Sequence, residues 1–414
     1  MTTLLLMRRC VMAALIVLAV LSPGLIAQAG DDFFDNMDDH LKFGAFNNYV
    51  TTRISGELNL EQYYVQQPPP GLIQTDHNFL SNPSLALNLD SQIGPQFYTF
   101  GEVRLDRGYD PTDGSAKIDP IQYALRYTPW EDGRLNLQIG KFATVVGNWA
   151  HRHDPWENPF ITPPLVYENQ TAAWSSDAAV SAAEINGWTT SAKNLRIPII
   201  WDANYATGAA IFGSIGQFDY AAEIKNAAIS SPPGSWNATN VGFANPTYSG
   251  RLGYRPGEEW NFGVSSSVGT YLDPSAANST AHGYGLDDYK EITIAQDASF
   301  AWHHWQVWAE CYETRFQIPT VGNADTLAYY IETKYKFTPE LSAAVRWNQQ
   351  VFDGIPNGMG GTTSWGSNVC SVDVAVTYRF SPHIQAKIQY SYYDQGAPVV
   401  QKQSLVAGQL TVKF

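Results

Sequence analysis

The 414-residue chain carries 25 Lys and Arg against 39 Asp and Glu, a net charge of −14, and only 15% of its residues are charged, against about 25% in ordinary soluble domains. That acid excess argues against nucleic acid and against docking on an anionic lipid leaflet. Three cysteines are too few for a disulfide framework, and past residue 30 no apolar run approaches the roughly 20 residues of a membrane-spanning helix.

Residues 1–29 read as a secretory signal peptide. Arg8 and Arg9 close a basic start, Cys10 to Leu21 form an apolar stretch, and Ala27-Gln28-Ala29 supplies the small-residue cleavage pattern. The apolar stretch is too short to span a bilayer, and Cys10 lacks the small residues before it that a lipid anchor requires. Residues 30–52 are expected as a separate periplasmic N-terminal segment, in which Asp31, Asp32, Asp35, Asp38 and Asp39 form either a frayed, solvated tail or a weak divalent-cation site, the tail being favoured.

The remainder alternates with a period of two. Leu341, Ala343, Val345 and Trp347 face away from Ser342, Ala344, Arg346 and Asn348. Val372, Val374, Val376 and Tyr378 face away from Asp373, Ala375, Thr377 and Arg379. The apolar faces end in Tyr, Trp or Phe, as an interfacial girdle requires, and the chain is rich in them, with 23 Tyr, 19 Phe and 13 Trp. Alternation predicts sixteen strands near 53–66, 79–92, 96–108, 118–128, 134–146, 203–214, 217–228, 246–255, 259–271, 288–302, 304–317, 325–338, 340–353, 367–380, 383–395 and 402–414. Tyr335-Lys336-Phe337-Thr338-Pro339-Glu340-Leu341 and Tyr378-Arg379-Phe380-Ser381-Pro382-His383-Ile384 are near copies, with proline ending the ladder. Seven such tight turns alternate with eight longer connections rich in Pro, Gly, Asn and Ser. The expected fold is therefore all-β: a transmembrane antiparallel β-barrel over residues 53–414. Cys311 and Cys370 fall on strands 11 and 14, which are not neighbours, and are expected as free thiols.

The chain ends Leu410-Thr411-Val412-Lys413-Phe414, apolar at alternate positions with a terminal Phe. This ending resembles the C-terminal signature of bacterial outer-membrane proteins. With the strand count, the mature chain resembles the porin superfamily, nearest the sixteen-stranded general and substrate-selective porins. The resemblance implies a bacterial outer-membrane location and contact with membrane lipids and lipopolysaccharide. It also implies a homotrimer and passive diffusion of small hydrophilic solutes and ions, and the even strand count puts both termini on the periplasmic side. A sixteen-stranded barrel is wide enough for an aqueous channel.

The longest connection, 146–203, is the third external loop. In general porins that loop folds into the pore, and a Gly-x-Phe strand resembling Gly140-Lys141-Phe142 precedes it. Its run of charge, aromatic and proline gives the candidate constriction: His151, Arg152, His153, Asp154, Trp156 and Glu157. One reading is an eyelet in which His151 and Arg152 face Asp154 and Glu157. The other is an external loop packed on itself or on a trimer neighbour. The first is favoured because loops this long in a compact domain are usually functional. Trp149, Trp156, Phe160, Tyr167, Trp174 and Trp188 could stack sugar rings, or form the loop's own small core, which is favoured. By parity the lumen wall carries Arg53, Glu57, Glu61, Asp90, Glu102, Arg104, Asp106 and Arg126. Further along it carries Glu223, Lys225, Arg251, Glu291, Asp297, Glu310, Glu332, Lys334, Arg346, Asp373, Arg379 and Lys387. Both signs are present, so a strict anion channel is not expected, and the acid excess predicts a weak cation preference.

Neither His151-Arg152-His153-Asp154 nor His303-His304 makes a convincing metal site, and no cofactor is expected. There is no G-x-S-x-G elbow, H-E-x-x-H or C-x-x-C-H motif, so the chain is not read as an enzyme. Three rivals to the general porin remain: a channel selective for sugars or organic acids, a sheath around a periplasmic partner such as a cytochrome, and an outer-membrane hydrolase with residues gathered at the external rim.

Overall fold

The computed structural model describes residues 33–107, 116–190, 193–357 and 360–414; the expected signal peptide, with Asp31 and Asp32 after it, lies outside them. Sixteen strands follow in order: β1 (Val50–Val65), β2 (Phe79–Ile93), β3 (Phe97–Asp106), β4 (Lys117–Tyr127), β5 (Asn136–Lys141), β6 (Thr207–Ile215), β7 (Phe218–Lys225) and β8 (Thr247–Tyr254). Then come β9 (Trp260–Thr270), β10 (Lys290–Trp302), β11 (Trp305–Ile318), β12 (Gly322–Lys336), β13 (Leu341–Phe352), β14 (Val369–Arg379), β15 (Ile384–Gln395) and β16 (Gln401–Lys413). Each pairs antiparallel with its neighbour in sequence, and β16 pairs with β1 from Leu405↔Val65 to Lys413↔Glu57, closing the sheet on itself. The chain is all-β, a closed sixteen-stranded antiparallel barrel, as the alternation predicted.

Closure leaves no open edge of unpaired N–H and C=O groups, which a lipid environment would not tolerate. Phe414 completes it. Its N–H donates to the Gly56 carbonyl at 3.0 Å, and the Gly56 N–H donates back at 2.9 Å. The outer face is apolar through its middle, with Leu58, Leu87, Leu125, Ile139, Ile211, Val264, Ile294, Ile331, Val345 and Val374 all exposed. Toward the turns it is aromatic: Phe97 packs on Tyr127 at 5.0 Å, Trp260 on Phe300 at 4.5 Å, and Trp305 on Tyr335 at 4.6 Å.

The two near-copy turns fold alike. The Phe337 and Phe380 N–H groups donate to the carbonyls of Leu341 and Ile384, both at 2.9 Å. The Thr338 and Ser381 hydroxyls accept from the N–H groups of Glu340 and His383, respectively, inside the turn. Thr and Ser recur there because the turn needs a short acceptor beside its proline. The β10–β11 hairpin turns on His303-His304, with His303 in the left-handed region at φ 52°.

Three expectations shift. The fifth and sixth strands are shorter than alternation suggested, because the chain leaves the sheet after Lys141 and re-enters at Thr207. Phe142, Thr144 and Val146 alternate like strand residues, but they turn inward, held by Thr144 N–H to Ala203 O at 3.1 Å, and Val146 is wholly buried. Two of the eight loop-end connections, 319–321 and 396–400, are short. The N-terminal segment is not a frayed tail: residues 33–40 are helical and Lys42–Ala45 pairs with the start of β1. Asp38 bonds Lys42 at 2.8 Å and Arg53 at 2.9 Å, and Asp35 lies 3.1 Å from His383. Cys311 and Cys370 are free.

Gly140 sits at φ +148°, and a Cβ there would meet the Tyr123 carbonyl oxygen and the Ala124 backbone across the β4–β5 ladder. Gly140→Val is therefore expected to cost about 1–3 kcal/mol and to reduce the folded, heat-modifiable band of the refolded barrel on a denaturing gel. A band as intense as the parent's would show that the ladder can give way there.

Candidate functional site: the loop-filled lumen

The 142–206 segment between β5 and β6 reaches inward-facing side chains of the nearby β7 and of strands on the far side of the barrel, and it does so mainly through backbone groups. Arg346 Nη2 donates to the carbonyls of Thr162 at 2.9 Å and Pro163 at 3.0 Å, while its Nε holds Asp373 at 2.8 Å. Gln389 Oε1 accepts the N–H groups of Ile161 and Thr162. Glu310 Oε1 accepts Asn148 N–H at 3.0 Å, and Lys225 Nζ donates to Phe142 O at 2.6 Å. Lys387 donates to the Pro155 carbonyl. A buried loop must find partners for every peptide group, and here the polar barrel wall supplies them.

Aromatic packing does the rest. Val146, Trp149, Val166, Tyr167, Ile199 and Ile200 form one buried cluster with Ala295, Tyr312, Ala328 and Tyr330 of the wall. The Tyr167 hydroxyl lies 2.9 Å from Glu310 and 2.6 Å from the Tyr312 hydroxyl. Gly147 threads past them at φ +76°, and a Cβ there would strike both hydroxyls. Toward the loop end, Ala172, Ala173, Ile185, Ile197 and Trp201 share a core with Trp236, Tyr271 and Trp365 from the other loops. Trp174 stacks on Trp188 at 4.4 Å. Trp149, Phe160 and Tyr167 are thus buried rather than displayed.

The sequence-derived site residues divide accordingly. Arg152 does not face Asp154 or Glu157; its Nη1 bonds the fully buried Glu332 at 2.7 Å, its Nη2 reaches the Tyr330 hydroxyl at 3.1 Å, and its guanidinium lies over Trp308. Trp156 is buried beneath two cations, Arg379 at 5.0 Å and Lys413 at 4.0 Å from its ring. His153 lies between the Ala150 carbonyl and the Tyr205 hydroxyl. His151, Asp154 and Glu157 are exposed to the interior space. On the wall, Glu310, Glu332, Arg346 and Asp373 point inward but lie at 0–3% exposure beneath the loop, so they hold the loop instead of lining water. Arg251 is spent on Asp219 and Asp297, and Arg53 pairs with Asp38.

Because the loop lies mainly on β7 and β9–β16, the open space at the turn end is left against β1–β4. At the turn end a cavity of 860 Å³ is lined by Glu57, Asp90, Glu102, Arg126 and Asp154. It narrows to 150 Å³ between Glu57, Glu61, Asn82, Glu102, Arg104 and Asp106 on the wall and His153, Asp154, Glu168 and Asp202 on the loop. At the loop end a 690 Å³ vestibule is lined by amides and hydroxyls, among them Gln67, Gln74, Asn169, Gln170, Thr189 and Gln403. Glu61, Glu168 and Asp202 carry much of the slot's acidity; alternation does not single out Glu168 and Asp202, because nothing local marks a loop carboxylate as lumen-facing. Lys334 and Arg379 belong to the opposite side, where Lys334 and Lys413 feel Glu157. Burial pushes the Glu168 carboxyl up to about 7, although Arg346 and the Tyr393 hydroxyl pull the other way. Burial likewise raises Asp202, opposed by His153 and Arg104. Among the described residues no cluster could hold a metal ion.

Arg152→Ala strands Glu332, fully buried, without its close partner, and is expected to cost about 3–5 kcal/mol, lowering the midpoint of denaturant unfolding of the refolded protein. Removing both partners should cost less than the sum of the single changes; strict additivity would show that the pair is not coupled. Arg152→Ala is thus expected to change stability more than ion selectivity.

No family model and no curated protein matches this sequence. Solved structures do match its shape. OmpF of Salmonella typhi, solved in complex with daunomycin, superposes with a TM-score of 0.56 at 12% identity, over 90% of this chain and 100% of that one. The outer membrane channel DcaP of Acinetobacter baumannii gives 0.55 at 11%, over 90% and 99%. The anion-selective porin of Comamonas acidovorans gives 0.53 at 9%, over 88% and 100%. Such identities speak to fold and leave the solute open: the chain has the closed sixteen-stranded barrel fold of the outer-membrane porins.

Proposed function

We propose that this chain is an outer-membrane porin through which small hydrophilic solutes and ions diffuse passively, with the 142–206 loop setting the constriction. The observation that carries this reading is the polar cavity along β1–β4 that narrows into the acidic slot, left open while the loop is bound elsewhere on the wall. The fold supports an outer-membrane location, with the short turns facing the periplasm. A Vibrio cholerae outer membrane protein of similar fold was solved in a trimer form, and a homotrimer is the assembly we infer here. The interior holds the chain's own loop, which leaves little room for a threaded protein partner. The mechanism is sieving plus a local field: the slot carries Glu57, Glu61, Glu102, Asp106, Asp154, Glu168 and Asp202 against Arg104 and His153, so cations are favoured over anions.

The test is single-channel recording of the refolded mature chain in a planar bilayer under a salt gradient. Large steady steps with a cation-positive reversal potential are expected; no conductance would sink the reading. Selectivity should also depend on pH. Glu168, near 7, is neutral below about pH 6 and ionised above about pH 8, so negative charge in the slot grows with pH. The cation-to-anion permeability ratio is therefore expected to rise across that window, and Glu168→Gln should flatten the rise. An unchanged profile in that variant would show that the carboxyl does not face the permeating ions.

A further inference from the structure

The wall where β16, β1 and β2 meet offers more hydrogen-bond acceptors than donors. Glu61 accepts from the Tyr63 hydroxyl at 2.7 Å, from Asn82 Nδ2 at 3.0 Å and from Gln409 Nε2 at 2.7 Å. Those bonds orient both amides, since turning either one would set a carbonyl against the Glu61 carboxylate. With each NH₂ so committed, Asn82 Oδ1 and Gln409 Oε1 have no partner, although the two residues are only 8% and 5% exposed. Asn82 lines the 150 Å³ slot beside Glu57 and Glu61. The Asn59 amide donates to Glu57 at 2.8 Å. Neither Glu57 nor Glu61 has an ion-pair partner among the described residues.

Buried acceptors without donors are costly, and the slot holds more carboxylates than cations: Glu57, Glu61 and Glu102 face Arg104 and, from β15, Lys387. An occupant that brought both positive charge and N–H groups would relieve both. An alkali ion brings only charge. An alkyl ammonium brings three donors and a guanidinium brings five. The slot's volume is about that of five waters in the liquid, enough for one such head group with a short chain.

We propose that this wall is a binding step for small solutes bearing a primary ammonium or guanidinium group, with Glu61 and Glu57 supplying charge and Asn82 Oδ1 an acceptor. The assignment rests on the channel reading above and names the solute class of that channel.

The experiment records single channels of the full mature chain with putrescine or arginine added to one side, against tetramethylammonium, glutarate and glucose as controls. Putrescine and arginine are expected to interrupt the current at millimolar concentration, and the three controls are not. Tetramethylammonium carries the charge without an N–H group, so block by it equal to that by putrescine would overturn the donor-recognition claim. Asn82→Leu leaves every carboxylate in place and should weaken the block by about tenfold. If that variant does not fold, the near-isosteric Glu57→Gln serves, with the same expected loss. Block of unchanged strength in the folded variant would overturn the assignment. A channel that conducts without being blocked by either amine would sink this inference and leave the porin reading standing, whereas a chain that never conducts would remove both.

Discussion

Everything in this molecule follows from the requirement that backbone N–H and C=O groups be paired wherever water is absent. A membrane-spanning sheet can meet that requirement only by closing, and the ladder between β16 and β1 provides the closure. The reciprocal bonds between Phe414 and Gly56 end that ladder at the last residue of the chain. Once the sheet is closed with sixteen strands, its interior is too wide for strand side chains to fill, and a second problem of the same kind arises inside.

The 142–206 loop meets that second problem. A long chain segment in the lumen carries dozens of peptide groups, and secondary structure satisfies only some of them, since its helices are short. Others are satisfied by polar side chains of the wall. Arg346, Gln389, Glu310 and Lys225 each bond loop backbone. Charges that would otherwise line water are spent on structure, and the burial of Arg346 is tolerable because Asp373 and two carbonyls surround it. The barrel thereby becomes lopsided. Most of the wall binds the loop; the turn-end part of β1–β4 keeps an open space lined by Glu57, Asp90 and Glu102. In the proposed channel, the acid excess of the whole chain reaches the solute path through that asymmetry.

The glycines mark where this arrangement is tight. Gly147 carries the loop past the hydroxyls of Tyr167 and Tyr312 at a backbone angle that side chains avoid. Gly140 lets β5 press against β4 just before the chain leaves the sheet. Both lie at the root of the loop, where the direction of the chain is decided.

How much of this was legible in advance depends on the range of the interactions. Period-two alternation is local, so all sixteen strands could be placed from it, including Leu341–Phe352 and Val369–Arg379 almost to the residue. The proline turns are also local, and their Thr338 and Ser381 caps lie within four residues of the groups they bond. The inward parity of Glu332, Arg346 and Asp373 could be read as well, because pleating alone sets it. What alternation could not say is which inward residues meet water. Arg152 and Glu332 are 180 residues apart, and nothing near either one announces the other. Trp156 under Arg379 and Lys413, and Glu168 beneath the Tyr393 hydroxyl, are likewise long-range. The sequence by itself determined the barrel, its strand order and its polar interior, because those rest on nearest-neighbour geometry and on the solvent facing each side of a strand. Only the tertiary structure decided which part of the wall the loop covers, and so which carboxylates are left facing open space, because that choice is made by contacts between segments far apart in the chain.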